Sequence, residues 1–137
     1  MTNISTKENL PVLEKVITQE SICKYAEASR DKNPIHINPA FATGTQFNGV
    51  IAHGMLTLAF VWEMLTQAFQ QHWLETGHLK VRFEAPAYPG DRVRTWGEIL
   101  KIQQTNDGQR VECAVGLKNN AEKTLIRGTA NITIPVT

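Results

Sequence analysis

The chain has 137 residues and carries 14 Lys and Arg against 13 Asp and Glu, a formal net charge of +1. That length suits one domain, and the even charge excludes a broad electrostatic grip on nucleic acid or an anionic membrane. With 42% hydrophobic and 20% charged residues it reads as a folded domain, and its two cysteines, Cys23 and Cys113, form no CxxC pair and no Cys/His cluster with zinc spacing, which argues against a disulfide framework or structural zinc site.

Residues 1–9 are polar and are expected as a loose N-terminal tail, with a single domain over residues 10–137. The start lacks the apolar core of a signal peptide, and the apolar stretch near residues 54–65 is broken by Thr57 and Glu63. These features predict a cytoplasmic protein with reduced thiols and no membrane partner. A first helix is expected from Thr18, which can cap it, with Ile17 and Ile22 placed as a hydrophobic staple. Ile22, Tyr25, Ala26 and Ser29 give it one semi-apolar face. Pro34 then disfavours helical geometry at Asn33, so residues 30–36 are expected as a loop. Pro39 and the Asn48-Gly49 pair mark further irregular chain.

From Ala52 to about Trp73 the pattern predicts one long helix. Apolar side chains from Met55 to Phe69 point in almost every direction, as in a helix buried all round. The second half of the chain must therefore wrap it. Leu79, Val81 and Phe83 alternate with Lys80, Arg82 and Glu84, and similar runs follow at Val93 to Leu100, Val111 to Leu117 and Ile126 to Ile134. Asn106-Asp107-Gly108 and Asn119-Asn120 supply turns between them. The expectation is an α+β domain, a long central helix wrapped by an antiparallel β-sheet.

Two features could carry chemistry. In Asp31-Lys32-Asn33-Pro34-Ile35-His36 a carboxylate and an imidazole stand on one loop, and a turn could bring them to one point for general acid–base work. A capping Asp and a packed His would use the same residues for structure alone. In Ala52-His53-Gly54-Met55 a glycine opens the long helix. The first N–H groups of a helix lack intrahelical partners and carry the positive end of its dipole, and glycine lets a ligand oxygen come close. Other residues read as structural. His53, His72 and His78 share no ligand spacing, Trp62, Trp73 and Trp96 suit packing, and Cys23 and Cys113 fall on apolar faces. Lys80, Arg82, Arg92 and Arg94 lie on outward strand positions.

Residues 25–36, Tyr-Ala-Glu-Ala-Ser-Arg-Asp-Lys-Asn-Pro-Ile-His, look like the hydratase motif of the MaoC-like (R)-specific enoyl-CoA hydratase family. Ile51-Ala52-His53-Gly54-Met55-Leu56 looks like its second signature, and residues 81–91, ending in Pro89-Gly90-Asp91, like its third. The resemblance implies a hot-dog fold, a homodimer or dimer of dimers, and reversible addition of water to a trans-2-enoyl thioester to give the (R)-3-hydroxyacyl thioester. It assigns Asp31 and His36 to the water, Asn33 to shaping the site, and the Gly54 N–H to the thioester carbonyl. It implies no metal and no redox cofactor; coenzyme A or acyl carrier protein enters as part of the substrate. One departure stands out. Where the family usually has glycine before the catalytic Asp, this chain has Arg30, which either points to solvent, reaches a substrate anion or narrows the pocket. The rival readings are a hot-dog thioesterase and a non-catalytic acyl-binding subunit of a heteromer.

Overall fold

In a computed structural model that describes residues 4–136, five strands form one antiparallel sheet. Strand β1 spans Glu14–Val16, β2 His78–Phe83, β3 Arg92–Thr105, β4 Gly108–Asn119 and β5 Thr124–Pro135, in the order β1-β3-β4-β5-β2. Helix α1 spans Gln19–Ser29, α2 Pro34–Ile37, α3 Pro39–Thr43, α4 Gly54–Phe69 and α5 Gln71–Thr76. The α+β arrangement expected from the sequence is present, with α4 laid against β3 and β4.

The core lies between α4 and one face of the sheet. Val61, Met64, Leu65 and Phe69 from the helix are buried with Ile99, Val111, Val115, Leu117, Ile126 and Ile132 from the strands. The period-two alternation places these strand residues on one face, as the sequence indicates. A bulge between Ile99 and Lys101 leaves Leu100 exposed and returns Ile102 to the inner side.

Several expectations are corrected. The long helix is broken at Gln70, whose φ of 51° closes α4 through a 2.7 Å bond from its N–H to the Thr66 carbonyl. The break turns α5 onto β5, where the Thr76 hydroxyl bonds the Thr133 backbone, and seats Trp73 in the core at 1% exposure. Nor is α4 covered all round: Met55 and Trp62 are 59% and 44% exposed. Pro34 and Pro39 open short helices instead of merely breaking the chain, because proline at the first helical position loses no needed N–H. Of the expected tail, residues 1–3 lie outside the described residues, while the rest runs beside β3. Lys7 donates to Ile99, Asn9 bridges Glu98, and Leu10 is buried over Gly97. Cys23 is exposed, on the outer side of α1, whereas Cys113 is buried as expected.

Thr18 caps α1 as anticipated, in a capping box with Ser21, and both staple residues Ile17 and Ile22 are buried. The helix ends at Arg30 in the left-handed conformation, φ 65° and ψ 13°. Arg30 is exposed and enters no ion pair among the described residues. Among these residues no helix is long and apolar enough to cross a membrane.

Candidate active site

The left-handed turn at Arg30 delivers Asp31 to the surface. Its N–H donates to the Ser29 hydroxyl at 3.2 Å, and its carboxylate accepts the Asn33 N–H at 3.4 Å. Asn33 caps α2, its side-chain oxygen accepting the Ile35 N–H at 3.1 Å. That cap and Pro34 start a single helical turn, and the turn carries His36 inward to 9% exposure. Asn33 therefore shapes the loop; its side-chain oxygen is spent on the backbone.

His36 is held in a defined state. Its Nδ1 lies 2.8 Å from the Ile51 carbonyl. A carbonyl only accepts, so Nδ1 carries a proton and Nε2 is the nitrogen left for another partner. Ile51 is itself fixed by its N–H on the Ile35 carbonyl, and Gln19 donates to the carbonyl of His36.

One oxygen of the Asp31 carboxylate and one ring nitrogen each of His36 and His53 lie within 4.8 Å of one another. The structure thus brings Asp31 and His36 together, across a gap that one water can bridge. His53, read from the sequence as structural, stands in the same cluster. It is 2% exposed, and its ring stacks on His36 at 3.8 Å between centroids. Its pairing with residue 31 depends on a tertiary contact that spacing along the chain does not encode. The oxygen and two nitrogens would suit a zinc ion by type. Two of the four ring nitrogens, however, are engaged with main-chain carbonyls.

Gly54 is the first residue of α4, with no side-chain cap over that end of the helix. It lines two adjoining cavities. One, of about 320 Å³, is walled by Tyr25, Asp31, His53, Met55 and Phe83. The other, of about 270 Å³, runs past Phe47, Thr57, Phe83 and Ala87. An apolar chain can occupy the second while its polar end faces Asp31 and His53 in the first. Phe47 lines this cavity, Phe41 is exposed, and Met64 and Leu65 lie in the core.

A carboxylate and two imidazoles gathered near an uncapped helix start, on a helix-and-sheet α+β domain, form an arrangement suited to acid–base chemistry. The MaoC like domain model matches residues 3–121, and the chain belongs to that family. It is 33% identical over 96 residues to the 3-hydroxyacyl-thioester dehydratase Z of Mycobacterium tuberculosis, a match covering 67% of this chain and 64% of the relative. The chain thus spans less than two thirds of that protein. It is 30% identical to the (R)-specific enoyl-CoA hydratase of Rhodospirillum rubrum, covering 90% of this chain and 83% of the relative. Among solved structures, R-hydratase PhaJ1 from Pseudomonas aeruginosa superposes with a TM-score of 0.82 at 27% identity, covering 98% of this chain and 84% of that one. The hot-dog fold expected from the sequence resemblance is therefore present.

Proposed function

We propose that the protein is an (R)-specific enoyl-thioester hydratase that adds water reversibly across a trans-2-enoyl group. The observation that carries this reading is the Asp31, His36 and His53 cluster, whose Asp31 and His53 share a cavity with the start of α4 at Gly54. Water held between Asp31 and His36 bonds through its oxygen to C3 of the substrate. Its proton passes to the His36 Nε2 lone pair while Asp31 keeps hold of the second hydrogen. Charge moves to the thioester oxygen, where the N–H groups at the α4 start stabilise it. A proton then returns to C2 and the cycle closes. Addition and protonation from one side give a syn product with one hydroxyl configuration. Every step is acid–base chemistry plus an oxyanion donor, so we assign no metal or redox cofactor.

Coenzyme A is the first choice of carrier and acyl carrier protein the second; the names of the relatives include both kinds of dehydratase. A cytoplasmic setting fits the exposed free thiol of Cys23. The unpaired edge of β2, together with the exposed Met55, Trp62 and Phe83, supports a homodimer closed along that edge. The test follows loss of enoyl-thioester absorbance and release of free thiol in parallel on the purified protein. Absorbance loss without thiol release supports hydration. Thiol release favours a thioesterase, and neither signal favours a non-catalytic subunit.

A further inference from the structure

We infer that His53 is a positioning residue that locks Asp31, His36 and the start of α4 into one frame; the inference rests on the hydratase reading of that site. His53 is the N-cap of α4, yet its side chain makes no bond to its own helix. The ring turns instead to the loop, and its Nε2 lies 2.9 Å from the main-chain carbonyl of Asp31. Because a carbonyl only accepts, Nε2 carries the proton. The ring face stacks on His36 with planes 24° apart, and the Tyr25 ring lies 4.8 Å away.

The other nitrogen shows why a histidine stands here. Nδ1 is buried and has no partner among the described residues. A buried polar atom without a partner costs stability, and an apolar ring would fill the same space without that cost. What histidine adds is the Nε2 donor on residue 31. That carbonyl belongs to the residue after Arg30, where the backbone is left-handed and strained. Asp31 thus follows a corner that its own sequence does not favour, and the His53 ring pins it from the α4 side. The main chain of His53 accepts the N–H groups of Leu56 and Thr57, so the same residue belongs to the first turn of the helix that Gly54 opens. Movement of residue 53 would change the distance between the water-activating pair and the oxyanion donors together. An error of ~1 Å in such a distance can cost on the order of 100-fold in turnover.

The test compares His53→Gln, which keeps an N–H donor near the Nε2 position, with His53→Phe, which keeps a ring and loses the donor. Expected for His53→Phe is a fall in kcat of roughly 10- to 100-fold with KM nearly unchanged and a melting temperature no lower than wild type. His53→Gln should recover most of kcat. A packing role predicts the reverse order, with loss of activity following loss of stability, and would overturn the inference. So would a His53→Phe enzyme with wild-type kcat. A second readout needs no variant: nitrogen NMR of the wild-type imidazoles should show the His53 proton on Nε2. A proton on Nδ1 would overturn the inference whatever the activities. If the wild type hydrates no enoyl thioester, the hydratase reading fails by itself, and the NMR result still decides the His53–Asp31 contact.

Discussion

The Phe83 ring packs on the backbone of Gly54, where the two cavities meet. A Cβ at residue 54 would stand 3.1 Å from the nearest Phe83 ring carbon. Phe83 is 49% exposed and can move by the few tenths of an ångström needed, so a side chain at 54 is tolerated by the fold. In the proposed reaction it would stand where the thioester oxygen approaches the helix. Gly54→Val should therefore fold and melt near wild type, while kcat/KM for an enoyl thioester falls roughly 100-fold. Unchanged turnover in a well-folded variant would show that the α4 start does not receive the oxyanion.

Arg30 provides a stability test. A non-glycine residue in the left-handed region costs on the order of 1 kcal/mol, and Arg30 forms no ion pair among the described residues to offset it. Arg30→Gly should raise the melting temperature by a few degrees, measured by calorimetry, with little effect on turnover. A lower melting temperature would mean that the arginine side chain supports the loop through a contact outweighing the strain.

The two thiols should differ in reactivity. Burial pushes the Cys113 thiol up to about 12 from its ordinary 9.0, and the Glu112 charge adds to the effect. The thiolate is the nucleophile, so Cys113 stays inert at pH 8 while the exposed Cys23 reacts. A colorimetric thiol reagent should count one thiol in the native protein and two after denaturation. The same shift sets a sign for stability. The unfolded chain loses the Cys113 proton near 9.0 and the folded one only near 12, so this group destabilises the fold progressively as pH rises through that window. Chemical denaturation at pH 8 and pH 10 should show the loss in wild type and a smaller loss in Cys113→Ala.

Sedimentation equilibrium should give a mass of about twice the 15.3 kDa chain at micromolar concentration. Among the described residues β2 ends the sheet, and the exposed Met55 and Phe83 line the cavity that also holds Asp31. A stable, active monomer would contradict the pairing.

What the sequence revealed and what it hid follow from range. The alternation of Val111, Cys113, Val115 and Leu117 is local, and it marks the inner face of β4 without knowledge of the neighbours. Thr18 and Ser21 mark the start of α1 for the same reason. Gln70 was not legible as a break, because glutamine at positive φ is imposed by burial of Trp73 and docking of α5 on β5. The three residues of β1 carry no pattern of their own; the Leu13 backbone bonds to Thr95 beside them settle their place on β3. An apolar ring around α4 could not tell a helix buried all round from one with Met55 and Trp62 exposed. The Asp31–His36 pair was readable as a motif, whereas His53 joined it only through folding.

The most direct test measures hydration of an enoyl-thioester panel by wild type, Asp31→Asn, His36→Ala and the double variant. Asp31 is exposed and accepts one N–H from Asn33 through its side chain, so the asparagine variant should keep the fold, as circular dichroism would verify. Each single change should lower kcat roughly 100- to 10,000-fold. The double variant should lose far less than the product of the two, because both groups act on one water. Retention of more than about a tenth of wild-type hydration by either well-folded single variant would contradict the assignment of Asp31 and His36 as the acid–base pair.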